Sequence, residues 1–135
     1  VRKKDIDAIL ATVPVIGKHL LEPLKSTAIE RGLPFKILED HQIVNDAEIH
    51  VKDGDLWYCI EGEATFVYGG VLVDPQVNMR KDGTKDTNEL FAKEISGGTK
   101  VIVRPGDWLW IPAGIAHQHS CKGTARFMII KIPIK

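Results

Sequence analysis

The sequence predicts a mainly β protein, a sandwich or barrel preceded by a short helical segment. From Phe35 onward, short apolar runs rich in β-branched and aromatic residues alternate with Gly, Asp, Asn and Pro, which is typical of strands joined by turns. Many short strands without a further helical pattern favour a sandwich or barrel. The candidate strands are FKIL, AEIHV, DLWYCI, ATFVYGG, VLVD, KVIV, DWLWI, AHQHS and ARFMIIKI.

Composition is typical of one globular domain. The chain has 135 residues, of which 44% are hydrophobic, so we expect a single domain over 1–135, with a helical segment at about 1–33 and the barrel at about 35–134. The 18 basic and 18 acidic residues balance without a block of like charge, which excludes nucleic acid and anionic membranes as expected partners. No apolar run is long enough to span a bilayer.

The N-terminal sequence and the cysteines indicate a cytoplasmic protein. Acidic residues break the apolar stretch of VRKKDIDAIL, so we do not expect a secretory signal. Cys59 and Cys121 do not form a CxxC pair, and two cysteines in a chain with a good core do not indicate a disulfide scaffold. We interpret both as small buried hydrophobic residues.

Two helices are predicted in the N-terminal segment. In the first, apolar residues from Ile6 to Leu10 recur at helical spacing behind Asp5, a candidate N-cap. The second is predicted from Lys18 to Arg31 and ends before Gly32 and Pro34. Its apolar stripe consists of Leu20, Leu21, Leu24, Ala28 and Ile29.

The polar stretch from Asp74 to Gly98 interrupts the strand pattern. We predict an excursion between the two halves of the barrel, containing a short helix or a hairpin near residues 88–95. Long loops of this kind are either functional lids or unremarkable insertions, and the sequence leaves both interpretations open.

Chemistry-bearing residues concentrate first between Ala47 and Gly62. Residues two apart in a strand face the same side, so Glu48 and His50 are expected to project together. The composition of Lys52–Gly54 predicts a turn. A hairpin at this turn would return Asp55 to the side of Glu48 and His50, although an ordinary turn aspartate is an equally good interpretation.

A second segment runs from Arg104 to His119. Two turns, at 105–106 and 112–114, enclose one short strand, and His117 follows the second turn with His119 on the same face. The spacing P-G-x5-P-x-G-x2-H over residues 105–117 resembles the second conserved motif of the cupins. The run from Glu48 to Gly62 resembles their first motif, and the similarity extends over about residues 37–132.

This resemblance implies a jelly-roll β-barrel with a bound metal ion. The first cupin motif is H-x-H followed by Glu; here Glu48 stands at the first His, His50 at the second and Asp55 at the Glu. Together with His117, these residues are the metal ligands that the resemblance implies. The Asn usually found four residues after the last ligand is replaced by Cys121.

Two imidazoles and two carboxylates form a mixed nitrogen and oxygen donor set. Such a set suits one divalent ion, with Fe(II) or Mn favoured and Zn, Ni or Co possible. Without Asp55, the remaining set resembles the two-His-one-carboxylate arrangement of non-haem iron oxygenases. Glu48 could instead be a solvent-facing strand residue.

Other residues are candidates for a substrate pocket. Trp57 and Cys59 share strand parity with Asp55, and His119 shares it with His117, so all three could line the interior. We predict His119 as the catalytic acid or base, with Lys131 as a second candidate and an ordinary hydrogen-bonded interior histidine as the alternative.

The predicted function is that of a metal-dependent enzyme acting on a small polar metabolite. The resemblance implies dioxygenase, decarboxylase or isomerase chemistry, of which we favour the dioxygenase. A cupin that binds a sugar or an organic acid without turnover is the alternative, and a metal-free structural barrel is a third. We also expect a homodimer formed through the N-terminal segment and the apolar strand at 127–134.

Overall fold

A computed structural model describes residues 1–134 of the protein, with two short helices and twelve strands in that range. In chain order the elements are α1 (Lys3–Leu10), β1 (Gly17–Leu20), α2 (Leu24–Arg31), β2 (Phe35–Val44), β3 (Ala47–His50), β4 (Asp53–Glu61), β5 (Ala64–Tyr68), β6 (Val71–Leu72), β7 (Gln76–Met79), β8 (Lys85–Ala92), β9 (Ile95–Ser96), β10 (Thr99–Val103), β11 (Trp108–Ile111) and β12 (His117–Pro133).

The long strand β12 organises the sheet. Its first residues pair with β5 and, at His117, with β3. From Ser120 onward it pairs with β2, and from Arg126 onward with β4. Ten strands thereby form one curled antiparallel sheet, and β6 and β9 form a separate pair. This arrangement confirms the predicted mainly β, cupin-type fold with an N-terminal helical segment.

Three apolar clusters stabilise the sheet, and two of them form layers on opposite faces of β2. The inner layer fills the concave side, where Trp57, Phe66 and Phe127 meet edge to face with ring centroids 5.1–5.6 Å apart. On the outer side, Ile9 of α1 and Leu24 of α2 pack against Ile37 of β2. Because strand residues alternate between faces, β2 contributes to both layers and joins the helices to the barrel.

Strand β1 and helix α2 correct the predicted second helix. The prediction from Lys18 to Arg31 is wrong in its first half: Gly17–Leu20 pairs with β2 as an edge strand, and the helix begins at Leu24. Pro23 explains the late start, because proline disfavours helical backbone in the residue before it and lacks an N–H. Ile29, predicted on the apolar stripe, is 64% exposed.

Helix α1 agrees with the prediction except at its cap. Arg2, rather than Asp5, is the N-cap, and Asp5 lies in the first turn. There its carboxylate accepts a hydrogen bond from the Arg2 N–H at 3.0 Å, and its negative charge is favourable at a helix N-terminus. None of the helices within residues 1–134 has the length and hydropathy needed to cross a membrane.

The predicted excursion contains a hairpin formed by β7 and β8, with residues 88–92 inside β8. Strand β8 also pairs with β3, placing Glu89 opposite His50 and Phe91 opposite Glu48. The hairpin therefore extends the main sheet next to the two predicted ligands of β3.

Gly62, at the turn after β4, provides a test of the fold. Its φ is +71°, and a Cβ there would lie 1.8 Å from the Thr124 carbonyl oxygen. Gly83 also has a positive φ, +86°, but an added Cβ would meet no atom within 4 Å. We expect Gly62→Ala to lower the free energy of unfolding by about 3–5 kcal/mol and Gly83→Ala by about 1 kcal/mol in urea denaturation. Equal losses would contradict this packing.

Candidate metal centre

The four predicted ligands converge from three strands. Glu48 and His50 lie on β3, Asp55 on β4 and His117 at the start of β12. The predicted hairpin between β3 and β4 is wrong, because β4 pairs with β11 and β12 in the described sheet. Asp55 is instead placed by its β-ladder partners Ile111 and Lys131, and it meets His50 across the interior of the curled sheet.

Local backbone contacts orient the two imidazoles. His117 lies opposite Glu48 in the β12–β3 ladder, and the Gly114 N–H donates to the His50 carbonyl at 2.8 Å. His117 Nδ1 is 3.1 Å from the Ile115 carbonyl. Because a carbonyl can only accept, Nδ1 carries the proton and Nε2 keeps a free electron pair, as a metal-binding histidine requires.

The donor atoms are spaced for an ion. Glu48 Oε1 is 3.6 Å from His50 Nε2 and 3.7 Å from His117 Nε2. Asp55 Oδ2 is 3.3 Å and 3.5 Å from the same two nitrogens. These distances exceed the usual N–H···O range of about 2.7–3.2 Å. Ligand atoms about 2.0–2.2 Å from a common ion would be separated by about 3.0–3.5 Å.

Burial leaves two of these atoms without a partner. Asp55 Oδ2 and His117 Nε2 are inaccessible to solvent, and neither makes a hydrogen bond within residues 1–134. Such groups are costly unless something satisfies them. Glu48, His50 and His117 also have ligand atoms all within 4.8 Å of one another. A divalent ion fits this cluster, with Asp55 as the fourth candidate ligand.

The electrostatics of the cluster are strongly coupled. Burial alone would raise the pKa of Glu48, but the neighbouring His50 outweighs it and lowers that pKa to about 2. Burial opposes charge on His50, yet Asp55, Glu48 and Glu89 raise its pKa to about 11. Burial lowers the pKa of His117. A metal ion bound by both imidazoles would therefore displace a proton from His50.

Asp55 has a second partner in Lys131. The ammonium Nζ lies 2.6 Å from Oδ1, the carboxylate oxygen that does not face the imidazoles. Burial opposes the charge on Asp55, but His50 and Lys131 keep its pKa below the ordinary value. Lys131 therefore holds Asp55 ionised and turned with Oδ2 toward the histidines.

His119 is bound on its inner side by Asp40. Asp40 is fully buried; its Oδ2 accepts a hydrogen bond from His119 Nδ1, and its Oδ1 accepts one from Asn45 Nδ2 at 3.1 Å. A carboxylate on Nδ1 selects the tautomer in which Nε2 is free to accept a proton. The ring also stacks on Phe66, with centroids 5.2 Å apart, so these two contacts fix the orientation of the imidazole.

An open cavity of about 740 Å³ lies beside the cluster. Glu48, His50 and Asp55 line it, as do the predicted pocket residues Trp57 and His119. The third predicted pocket residue, Cys59, is not part of this lining. Its side chain belongs to the inner apolar layer, where its Sγ lies 3.3 Å from the Gly62 carbonyl oxygen and burial raises the pKa of the thiol to about 11.

Sequence reasoning missed Glu89. Its Oε1 lies 3.5 Å from His50 Nδ1, and it lines the cavity from β8. Glu89 lies in the stretch that was predicted as an excursion, and it approaches His50 because β8 pairs with β3. The segment KDTNELFA shows no alternation of apolar and polar residues, so its sequence carried no periodic signal of a strand.

No family model and no curated protein matches the chain. Among solved structures, it is similar to the EutQ protein of Clostridium difficile, with 18% identity over 73% of this chain and a TM-score of 0.45. It is also similar to hydroquinone 1,2-dioxygenase from Sphingomonas sp. TTNP3, solved with 4-hydroxybenzoate, with 12% identity over 76% of this chain and a TM-score of 0.49. The chain spans only 55% and 61% of these two structures.

The curled antiparallel sheet around the histidine and carboxylate cluster identifies the architecture. It agrees with the curled β-barrel that the resemblance of the two sequence motifs to the cupins implies. One fold of this kind supports many functions, so the activity has to be argued from the cluster and its cavity.

Proposed function

We propose that the protein is a metal-dependent enzyme that acts on a small polar metabolite, with dioxygenase-type chemistry. The observation that carries this proposal is the pair of buried, unsatisfied atoms, Asp55 Oδ2 and His117 Nε2, 3.5 Å apart beside an open cavity. A purely structural cluster would gain stability by hydrogen-bonding these atoms, whereas a metal site needs their electron pairs free.

Glu48, His50 and His117 would hold the ion, with Asp55 as the fourth ligand. Nitrogen and carboxylate donors without a thiolate suit Fe(II) or Mn, and less specifically Zn, Ni or Co. When bound, such an ion binds and polarises substrate oxygens and, as Fe(II) with two histidines and a carboxylate, supports oxygenase chemistry.

The chain's own residues would do the remaining work. Asp40 holds the Nδ1 proton of His119, so Nε2 is the atom that can accept a proton from a bound metabolite. Trp57 and Phe91 line the same cavity and keep apolar surface beside the ion. We therefore propose His119 as the general base, positioned by Asp40.

Metal analysis followed by electron paramagnetic resonance tests this function. Protein purified without chelators should contain about one divalent ion per chain. After anaerobic loading with Fe(II), addition of nitric oxide, which occupies positions open to dioxygen, should give the signal of a high-spin iron nitrosyl. Asp40→Asn should retain both the metal and this signal, because Asp40 lies outside the ligand set.

Two outcomes would contradict the proposal. Protein that binds no divalent ion even when reconstituted would favour a metal-free barrel. A bound iron that gives no nitrosyl signal would have no open position, which excludes the dioxygenase and favours a binding protein without turnover.

Two further expectations remain proposals. Cys59 and Cys121 are buried free thiols, which supports a reducing, cytoplasmic setting. The homodimer is supported by Trp108 and Trp110, which are 60% and 47% exposed on β11. Large exposed aromatic residues are typical of contact surfaces. The predicted dimer strand is less available, because Phe127 is fully buried within the chain.

A further inference from the structure

The cavity beside the candidate metal centre is rich in lysine. Four lysines line it against three carboxylates. The carboxylates all lie near the imidazoles, since Glu48, Asp55 and Glu89 each approach His50 within 3.3–3.6 Å. A bound divalent ion would therefore leave the cavity with a net positive charge. The four lysines are Lys18, Lys25, Lys36 and Lys131.

Three of these lysines lie on adjacent strands. Lys18 lies on β1, Lys36 on β2 and Lys131 on β12, and these strands are consecutive neighbours in the sheet. Lys36 lies opposite Ile129, an inner-layer residue two positions before Lys131. Residues two apart share a face, so Lys36 and Lys131 both belong to the concave side.

Lys18 also lies on the concave side of the sheet, because residues two apart in a strand share a face. It lies two residues before Leu20, which packs against the inner layer, and its positive charge helps to lower the pKa of Glu48. We call Lys18, Lys36 and Lys131 the lysine wall.

Only one member of the lysine wall is engaged by an acid. Lys131 pairs with Asp55, whereas Lys18 and Lys36 have no carboxylate within 4.0 Å in the part of the chain that the structure describes. Lys36 is also partly buried. A cation that loses solvent without gaining a partner lowers stability unless an anion approaches it.

A second unsatisfied donor lies in the same cavity. Trp57 lines it and is 1% exposed. Its indole N–H has no acceptor among residues 1–134, although a buried tryptophan N–H usually has one. The cavity thus contains two unpaired cations on strands that flank the candidate metal centre, and Trp57 in its wall keeps a buried N–H without an acceptor among residues 1–134.

We propose that the substrate is a small organic anion. One end chelates the metal ion, and the other carries a carboxylate or phosphate group that binds Lys36. Lys18 lies opposite Asp40, four positions from Lys36 along β2, and adds its positive charge to the lysine wall. The chelating end rests on the proposed function, but the anionic end rests on the lysine wall alone. A neutral sugar would leave Lys36 unpaired and is disfavoured as the natural ligand.

Three α-hydroxy acids test this proposal, because they share a chelating end and differ at the far end. Glycerate has a neutral hydroxyl there, malate a carboxylate and 3-phosphoglycerate a phosphate. We expect at least one of malate and 3-phosphoglycerate, whose far ends are charged, to bind Mn-loaded protein about tenfold more tightly than glycerate in calorimetric titration. The acid that binds more tightly identifies the group that the lysines recognise.

Matched lysine variants localise the effect. Lys36→Met should remove most of the tenfold preference, Lys36→Arg should keep it, and Lys122→Met should not change it, since Lys122 is exposed outside the cavity. If neither malate nor 3-phosphoglycerate binds, if all three acids bind equally, or if Lys36→Met has no effect, the proposal is overturned.

The same titrations separate this proposal from the proposed function. Chelator-treated protein should still bind malate or 3-phosphoglycerate and should lose that binding in Lys36→Met, because the lysines do not depend on the ion. Protein that binds Mn but binds all three acids equally would contradict the role of the lysine wall and would still be consistent with the metal centre. Protein that cannot bind Mn but binds malate or 3-phosphoglycerate through Lys36 would support the lysine wall and refute the metal enzyme.

Discussion

His117→Ala is expected to abolish stoichiometric metal binding and leave the fold intact. His117 is 1% exposed, and its Nε2 makes no hydrogen bond within the described residues. Ala therefore removes the metal-binding nitrogen and loses the hydrogen bond from Nδ1 to the Ile115 carbonyl. Even residues that only support a ligand contribute about 10–100-fold to metal affinity. Loss of the ligand itself should therefore lower affinity by more than about a hundredfold.

Metal content and thermal unfolding measure this effect. The wild-type protein should carry about one ion per chain, and its Tm should rise with added Mn because the ion binds only the folded state. His117→Ala should show neither property. His41→Ala is the matched control, since His41 bonds to Thr124 Oγ1 at 2.7 Å and does not line the cavity. Unchanged metal content in His117→Ala would refute the site.

Arg126→Met should destabilise the protein by about 3–5 kcal/mol. The Arg126 guanidinium is 2% exposed and pairs with the buried carboxylate of Glu39 at 2.7 Å and with Glu61 at 2.9 Å. It also donates to the carbonyl oxygens of Leu10 and Thr12. Removing one partner of a buried ion pair leaves an uncompensated charge, which accounts for the size of the loss.

Urea denaturation and limited proteolysis distinguish this role from a surface ion pair. Arg104→Met, at a pair whose two side chains are each 61% exposed, should cost less than about 1 kcal/mol. Adding Glu39→Gln to Arg126→Met should recover part of the stability, because the unpaired charge is then removed. Arg126→Met should also expose the segment after α1 to protease. A loss no larger than that of Arg104→Met would contradict this account.

The faces on which side chains lie along a single strand could be predicted from the sequence. Glu48 and His50 share a face because they are two residues apart, as do His117 and His119, and the structure has these pairs on β3 and β12. The turn residues at 112–114 likewise predicted where His117 begins its strand. Such features depend on nearest neighbours along the backbone, which is why sequence periodicity captures them.

Which strands pair with one another could not be predicted from the sequence. Asp55 does approach His50, but across the interior from β4 rather than through a hairpin. Strand β1 was mistaken for helix because its pairing with β2 joins residues about twenty positions apart. Glu89 and the Asp40–His119 contact arise from pairings of the same long-range kind.

The order of residues was enough to predict the strand-rich character of the chain, the shared faces of its histidines and the mixture of imidazole and carboxylate groups near them. The folded chain was needed to show which carboxylates reach those histidines, which lysines lie near them, and that Arg126 connects the N-terminal segment to the barrel. Side-chain alternation depends on neighbours along the backbone, whereas the register between distant strands is selected by burial of the whole inner layer.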